Sequence, residues 1–194
     1  TGNIPVNTNA SVNMTQGAFS GAGTITYNAS GTTLVYDGTG SITTTSYEFP
    51  AINGPVNVTI NNAGGVTLHA SRTLPASGVF TELAGVFRLG NFDLTLDNIA
   101  AAALVNASPG AGNMIATDGT GQLKRTLPAA ARNLFFYIGD ETGTAEYSGI
   151  QLNFTANNTV RVIGIRCVDA TSGNMNTPTT PFDYLSRSWL VTLS

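Results

Sequence analysis

The chain has 194 residues, is 42% hydrophobic and 10% charged, and carries a net charge of −3. That balance excludes a disordered chain, which combines low hydrophobicity with high net charge. With Lys and Arg totalling 8 a nucleic-acid partner is not expected, because phosphate binding needs clustered cations. No apolar run approaches the roughly 18 residues of a membrane-spanning helix, so no membrane span is expected either.

Thr, Ser and Asn supply the polar surface in place of charge. They disfavour helix interiors, while Thr suits a pleated strand, and Gly 22 and Pro 8 supply frequent turns. The expected class is all-β. Cys167 is the single cysteine, so no intrachain disulfide can form and stability must come from the core. The chain begins at Thr1 rather than Met, as expected of a mature or excised product. Few lysines and one cysteine fit an extracellular or cell-surface protein.

Residues 4–14 alternate with period two. Ile4, Val6, Ala10, Val12 and Met14 share one face with Thr8, while Asn7, Asn9, Ser11 and Asn13 share the other. This spacing predicts one half-buried strand, longer than the usual 5–6 residues. Because it lies at a terminus and is followed by the Gly-rich stretch 17–23, segment 1–23 is expected to act as a donor strand and hinge. Ile4, Val6, Ala10, Val12 and Met14 would then set registry on a neighbour's sheet, and such head-to-tail addition does not close, so it builds a filament. The alternative is pairing within its own domain.

Short β-prone runs follow at 24–27, 33–36, 56–60, 66–68, 79–83, 86–89 and 92–96, with glycines at the breaks. Strands so short and so punctuated predict a β-solenoid-like or β-sandwich unit over 24–112. Residues 99–105, with alanines at 100–103, form the one helix-like run, marginal in length for a helix in water. Residues 110–112 read as a linker. A second, β-sandwich-like unit is expected over 113–194, with strands at 121–127, 133–138, 149–155, 159–168 and 188–193. Both faces of 159–168 carry apolar residues, which predicts a central strand in a two-layer packing.

The chemistry-bearing residues are sparse. His69 is the lone histidine, so a histidine metal cluster is excluded. A Ser-His-Asp triad lacks its G-x-S-x-G elbow, and His69 reads as a surface strand residue. Cys167 lies among Ile163 and Ile165 and reads as a buried, inert thiol. Asp37-Gly38-Thr39-Gly40 and Asp118-Gly119-Thr120-Gly121 are tight-turn signals, without the alternating acidic pattern of a calcium loop. Glu48, Glu82, Glu141 and Glu146 cannot be paired into a glycosidase site from sequence. Tyr27, Tyr36, Tyr47, Phe49 and Trp189 could meet a sugar, but aromatics at this density more often fill a β core. No catalytic, cofactor or metal site is expected.

Several phrases resemble the surface and adhesin-like proteins that Bacteroidetes export through the type IX secretion pathway. They are Leu34-Val35-Tyr36-Asp37-Gly38, Tyr47-Glu48-Phe49-Pro50, Gly54-Pro55-Val56-Asn57-Val58-Thr59-Ile60-Asn61-Asn62 with Gly65-Val66-Thr67-Leu68, and Leu89-Gly90-Asn91-Phe92-Asp93-Leu94-Thr95-Leu96. In the later half they are Ala116-Thr117-Asp118-Gly119-Thr120-Gly121-Gln122-Leu123, Ile138-Gly139-Asp140, Thr144-Ala145-Glu146-Tyr147-Ser148 and Asp183-Tyr184-Leu185-Ser186-Arg187-Ser188-Trp189. Members of that group are usually long and end in a secretion-signal domain, which is not identifiable here. The resemblance implies an exported structural or adhesive protein rather than an enzyme. The expected partners are further copies of the chain, as a homo-oligomer or filament. A glycan-binding accessory module of a larger secreted protein, meeting a surface glycan, is the alternative.

Overall fold

The structure, a computed structural model, describes residues 2–17, 19, 23–170 and 187–194. The chain enters through β1 (Ile4–Pro5) and β2 (Ser11–Met14). It continues through β3 (Ile25–Thr26), β4 (Thr33–Gly38) and β5 (Ile42–Thr43), then β6 (Asn57–Asn62), β7 (Val66–Thr67) and β8 (Arg72–Leu74). The next coil is β9 (Phe80–Ala84), β10 (Phe87–Arg88) and β11 (Leu94–Leu96). A 3₁₀ turn at Ala101–Ala103 precedes β12 (Leu104–Asn106), β13 (Ile115–Ala116) and β14 (Leu123–Leu127).

These strands stack as a β-solenoid of about six turns. One wall runs β2-β4-β6-β9-β12, a second β5-β7-β10-β13, and a third β8-β11-β14, every neighbouring pair parallel. Parallel neighbours require a crossover, and here each crossover is the rest of a coil. The walls are joined at tight corners. At Gly85 the backbone takes φ 87, and a Cβ there would collide with the carbonyl oxygen of Asn62 in the coil below, so only glycine fits.

Alternation within each strand sends every second side chain inward, and the registers stack these into columns. Leu34, Val58, Phe80 and Leu104 form one column of the first wall. Val66, Phe87 and Ile115 form that of the second wall, and Leu94 and Leu123 belong to that of the third. All of them are buried in one continuous core. Burial of each large aliphatic or aromatic side chain contributes about 1.5–3 kcal/mol, and this replaces the disulfide that one cysteine cannot provide.

After β14 the winding changes. β15 (Arg132–Phe136) does not join the first wall but pairs antiparallel with β18 (Ile150–Phe154). β16 (Ile138–Asp140) adds one more parallel rung to the second wall, and β17 (Glu146–Tyr147) closes it antiparallel. β19 (Arg161–Val168) runs antiparallel along β14, and β20 (Ser188–Leu193) antiparallel along β19. Of the two arrangements expected for 24–112, β-solenoid-like or β-sandwich, the solenoid is present, and its walls run on through β13, β14 and β16.

Four expectations change. The two-layer unit over 113–194 is not seen: β13, β14 and β16 continue the solenoid walls, and β19 is central within a single extended sheet. Residues 110–112 are part of a turn closed by a bridge between Gly110 and Asn113, not a linker. Of the helix-like run 99–105 only one 3₁₀ turn forms, and Leu104 and Val105 enter β12, because pairing with Phe80 and Thr81 outweighs a short alanine run. The single strand expected over 4–14 is two strands, divided at Asn9, whose φ is 56. β1 lies parallel on β3 and β2 parallel on β4, so the residues expected to register on a neighbour pair with their own chain. Val6 and Met14 are buried there, Ala10 and Val12 partly so, and Ile4 is 51% exposed.

Candidate functional site

The β1-β3 pair is not laddered to β8 at the foot of the third wall; a loop, residues 47–53, fills the rung between them. Tyr47 and Asn53 accept hydrogen bonds from the backbone N–H groups of Ile25 and Tyr27. Arg72, at the start of β8, donates from Nε to the carbonyl of Phe49 at 2.5 Å. The loop turns Glu48 fully inward. Its carboxylate accepts from the backbone N–H of Thr45 at 2.5 Å, from the Thr45 hydroxyl and from the Tyr36 hydroxyl at 3.1 Å, while the Tyr27 hydroxyl donates to its carbonyl at 2.8 Å. Burial first, and the Glu48 charge second, raise both phenols far above the ordinary tyrosine value, so both stay protonated donors.

His69 sits at the edge of this cluster, half-buried. Its Nδ1 is 2.6 Å from Thr44 Oγ1, and its Nε2 is 2.9 Å from Ser46 Oγ and 2.8 Å from a terminal nitrogen of Arg72. A guanidinium can only donate. Nε2 is therefore the acceptor, and Nδ1 carries the proton that Thr44 Oγ1 accepts. Desolvation, and then the Arg72 charge, lower the imidazole below its ordinary value. The arrangement superficially matches a nucleophile and its base, since the exposed Ser46 hydroxyl points at a neutral imidazole. Its chemistry is poor for that task. Arg72 shares the lone pair that would take the serine proton, its charge opposes the imidazolium that would form, and the orienting group is a hydroxyl rather than a carboxylate. Sequence spacing alone did not join these residues. Thr44 and His69 are separated by one coil, and only the coil register shows them adjacent.

This geometry makes His69 a pH-dependent contributor. Because its folded value lies below its unfolded one, stability from the neutral imidazole is present above the unfolded value and declines as pH falls through it toward the folded value. In an NMR titration the imidazole is expected to protonate below pH 6.5 and to show the Nδ1–H tautomer at neutrality; ordinary titration with the other tautomer would contradict the geometry.

A second cluster holds the C-terminal strand. Arg187 Nε pairs with Asp140 Oδ2 at 3.0 Å, while its terminal nitrogens reach Ser148 Oγ at 2.8 Å and the Glu146 carboxylate. Trp189 Nε1 donates to the Ser148 carbonyl at 2.8 Å. Cys167 is buried with its Sγ 3.7 Å from Asp140 Oδ2. Burial, above all, pushes its thiol up to about 11, which keeps it protonated and a weak nucleophile.

The Asp-Gly turns serve the coils. Asp37 Oδ1 accepts from Asn61 Nδ2 at 3.0 Å, and Asp118 Oδ1 from the backbone N–H of Glu141 at 2.9 Å. Among the described residues no group of three or more His, Cys, Asp or Glu converges as a metal site, and no helix is long and apolar enough to cross a membrane. Two shallow depressions adjoin near Ala131. One is lined by Asn157, Asn158 and Arg161, the other by Asn133, Asn153 and Phe154. Comparison with family models, with curated proteins and with solved structures found no match for this chain.

Proposed function

We propose that this chain is a non-catalytic structural or adhesive module of an extracellular or cell-surface protein. The observation that carries the reading is the stacked inward columns, apolar except where Arg72, Glu82 and Arg125 enter them. Each coil buries its apolar face against the next, so the interior is a packed core, and the outward positions of the walls present mainly Thr, Asn, Ser and Val. A stack of this kind is held by nearest-neighbour contacts and makes a stiff spacer with an extended lateral surface. Charge-poor hydroxyl and amide side chains on that surface suit contact with other surfaces better than recognition of an ion. This role needs no donation of β1 and β2 to a neighbour, since both already have partners in their own chain.

Fractionation of producing cells is the direct test. The chain is expected in the surface or secreted fraction, and beads carrying it are expected to adhere to cells or matrix with His69→Ala no less adhesive than the parent. Recovery from the cytoplasm alone, or a turnover that His69→Ala abolishes without unfolding, would overturn the reading.

The amide-lined depressions near Ala131 support a second reading, a glycan-binding accessory module. Asn side chains offer paired donors and acceptors to sugar hydroxyls, and Arg161 and the half-buried Phe154 supply a charge and an apolar face. Polysaccharide binding that Asn153→Ala and Asn158→Ala weaken together would favour it over the adhesive spacer.

A further inference from the structure

The two ends of the solenoid differ. At the N-terminal end Val6, Met14, Ile25, Tyr27 and Phe49 are all buried. At the C-terminal end β20 extends the third wall by one strand beyond the last coil. In its register with β19, Trp189 lies opposite Cys167, Val191 opposite Ile165 and Leu193 opposite Ile163. Opposite residues of paired strands share a face, so Trp189, Val191 and Leu193 continue the face that lines the core. They nevertheless remain 38%, 48% and 56% exposed. Among the described residues no strand pairs with the outer edge of β20.

We propose that this edge is a self-association surface, and that two copies of the chain join β20 to β20 antiparallel about a two-fold axis at Val191. The hydrogen bonding fixes the register. Ser194 exchanges both backbone bonds with Val162 of β19, so Thr192 and Leu190 also turn their polar groups toward β19, and Trp189, Val191 and Leu193 turn theirs outward. An axis at Val191 sets Val191 against its symmetry mate and Trp189 against Leu193 of the second copy. Every outward N–H and C=O of those residues then gains a partner, and all the exposed core-side groups meet apolar groups. An axis at Leu190 would align fewer outward groups.

A second copy is the occupant for two further reasons. β20 has no charged residue in Ser188–Leu193, so the two-fold places no like charges together, and it lacks the Lys or Pro with which free edges are usually protected. The flanking Arg187 is held by Asp140 and Glu146 of its own chain. A head-to-tail contact would instead need a matching uncovered apolar strip at the N-terminal end. There Val6, Met14, Ile25, Tyr27 and Phe49 are buried, and of the apolar residues alternating with Val6 and Met14 only Ile4 is exposed. The association is therefore isologous and closed at two copies. It goes beyond the surface-module reading and does not depend on where the protein acts.

Sedimentation and light scattering of the full chain are expected to give twice the chain mass, dissociating on dilution. Val191→Lys, which sets two ammonium groups face to face at the axis, is expected to give a monomer with unchanged circular dichroism. Val191→Cys is expected to form an intermolecular disulfide under mild oxidation, since hydrogen-bonded antiparallel pairs lie about 5.5 Å apart between Cα atoms. Leu193→Cys should not cross-link to its own mate, which lies about 14 Å away in this register, being four residues along the strand. A monomer at every concentration, a dimer that Val191→Lys leaves intact, an open-ended series of oligomers, or equal cross-linking at both positions would each overturn the proposal. The cross-linking arm reads the interface even where the lysine variant fails to fold.

Discussion

Arg125→Ala is expected to destabilise the protein by about 3–5 kcal/mol, the range for truncating a large core side chain to alanine, with unpaired buried carbonyls adding to the cavity. Arg125 occupies an inward position of β14, opposite Leu96 in β11 and Ile163 in β19, and it is fully buried. No carboxylate pairs with it among the described residues. Its guanidinium instead donates to three backbone carbonyls, Phe135 at 2.9 Å and Ala100 and Ala101 at 2.9 Å each, and lies 6.0 Å from the centre of the Phe136 ring. Those carbonyls belong to β15 and to the segment at the 3₁₀ turn. Because β15 has left the first wall, Arg125 ties it to the previous coil in place of a ladder. Alanine would leave a cavity and three carbonyls without their donor. Arg125→Lys is expected to recover only part of the loss, since one ammonium cannot reproduce the planar fork. Denaturant unfolding of the two variants checks this, and a loss below about 1 kcal/mol for alanine would show that β15 is held by something else.

Much of the fold was legible in the residues. Short runs separated by Gly and Asn announced short strands at 33–36, 56–60 and 66–68, and the structure places β4, β6 and β7 there. What could not be read was which runs stack. The coils vary in length: Val66 to Phe87 is 21 residues, while Phe87 to Ile115 is 28, so no fixed period reveals the solenoid register. The alternation over 4–14 was genuine, but period two describes side-chain direction and not continuity. A left-handed Asn9 can divide one pattern into two strands of successive walls without disturbing it.

The polar interior was less legible still, for a related reason. Arg72, Glu82 and Arg125 occupy inward positions of strands, where alternation predicts apolar residues, and each is explained by partners from another coil. Glu48 is satisfied by Tyr36 and Thr45, but its burial depends on a loop standing in for a strand, which sequence spacing does not announce. The Ser46–His69 contact follows from that same loop. Residues 188–193 read as a strand from sequence, yet the exposure of Trp189, Val191 and Leu193 is visible only when β20 is seen to lie one strand past the last coil.

Glu82→Gln is expected to abolish a large pH dependence of stability and to stabilise the protein most at alkaline pH. Glu82 stands in an inward column of the first wall, opposite Ile60 in β6 and Asn106 in β12, and it is fully buried. Asn106 Nδ2 donates to its Oε2 at 2.9 Å. Burial raises the carboxyl from the ordinary value of 4.5 to about 8, opposed only in part by the Phe87 backbone N–H and the Asn106 amide. In the unfolded chain the group loses its proton near 4.5, whereas the folded protein keeps it until about 8. Between those values the native state binds more protons, so stability falls as pH rises, by up to about 1.4 kcal/mol per pH unit. Below the unfolded value the contribution is fully present; above the folded value its loss is complete, and the column then holds a charge with no cation beside it. Glutamine has nearly the same shape and no proton to lose, and its carbonyl can still accept from Asn106. Unfolding curves at pH 5 and pH 8.5 check the expectation. The parent should lose on the order of several kcal/mol between them by the linkage above, while the Glu82→Gln variant keeps most of its stability. Equal slopes for the two proteins would mean that Glu82 is ionised in the folded state, with a compensating group inside the column.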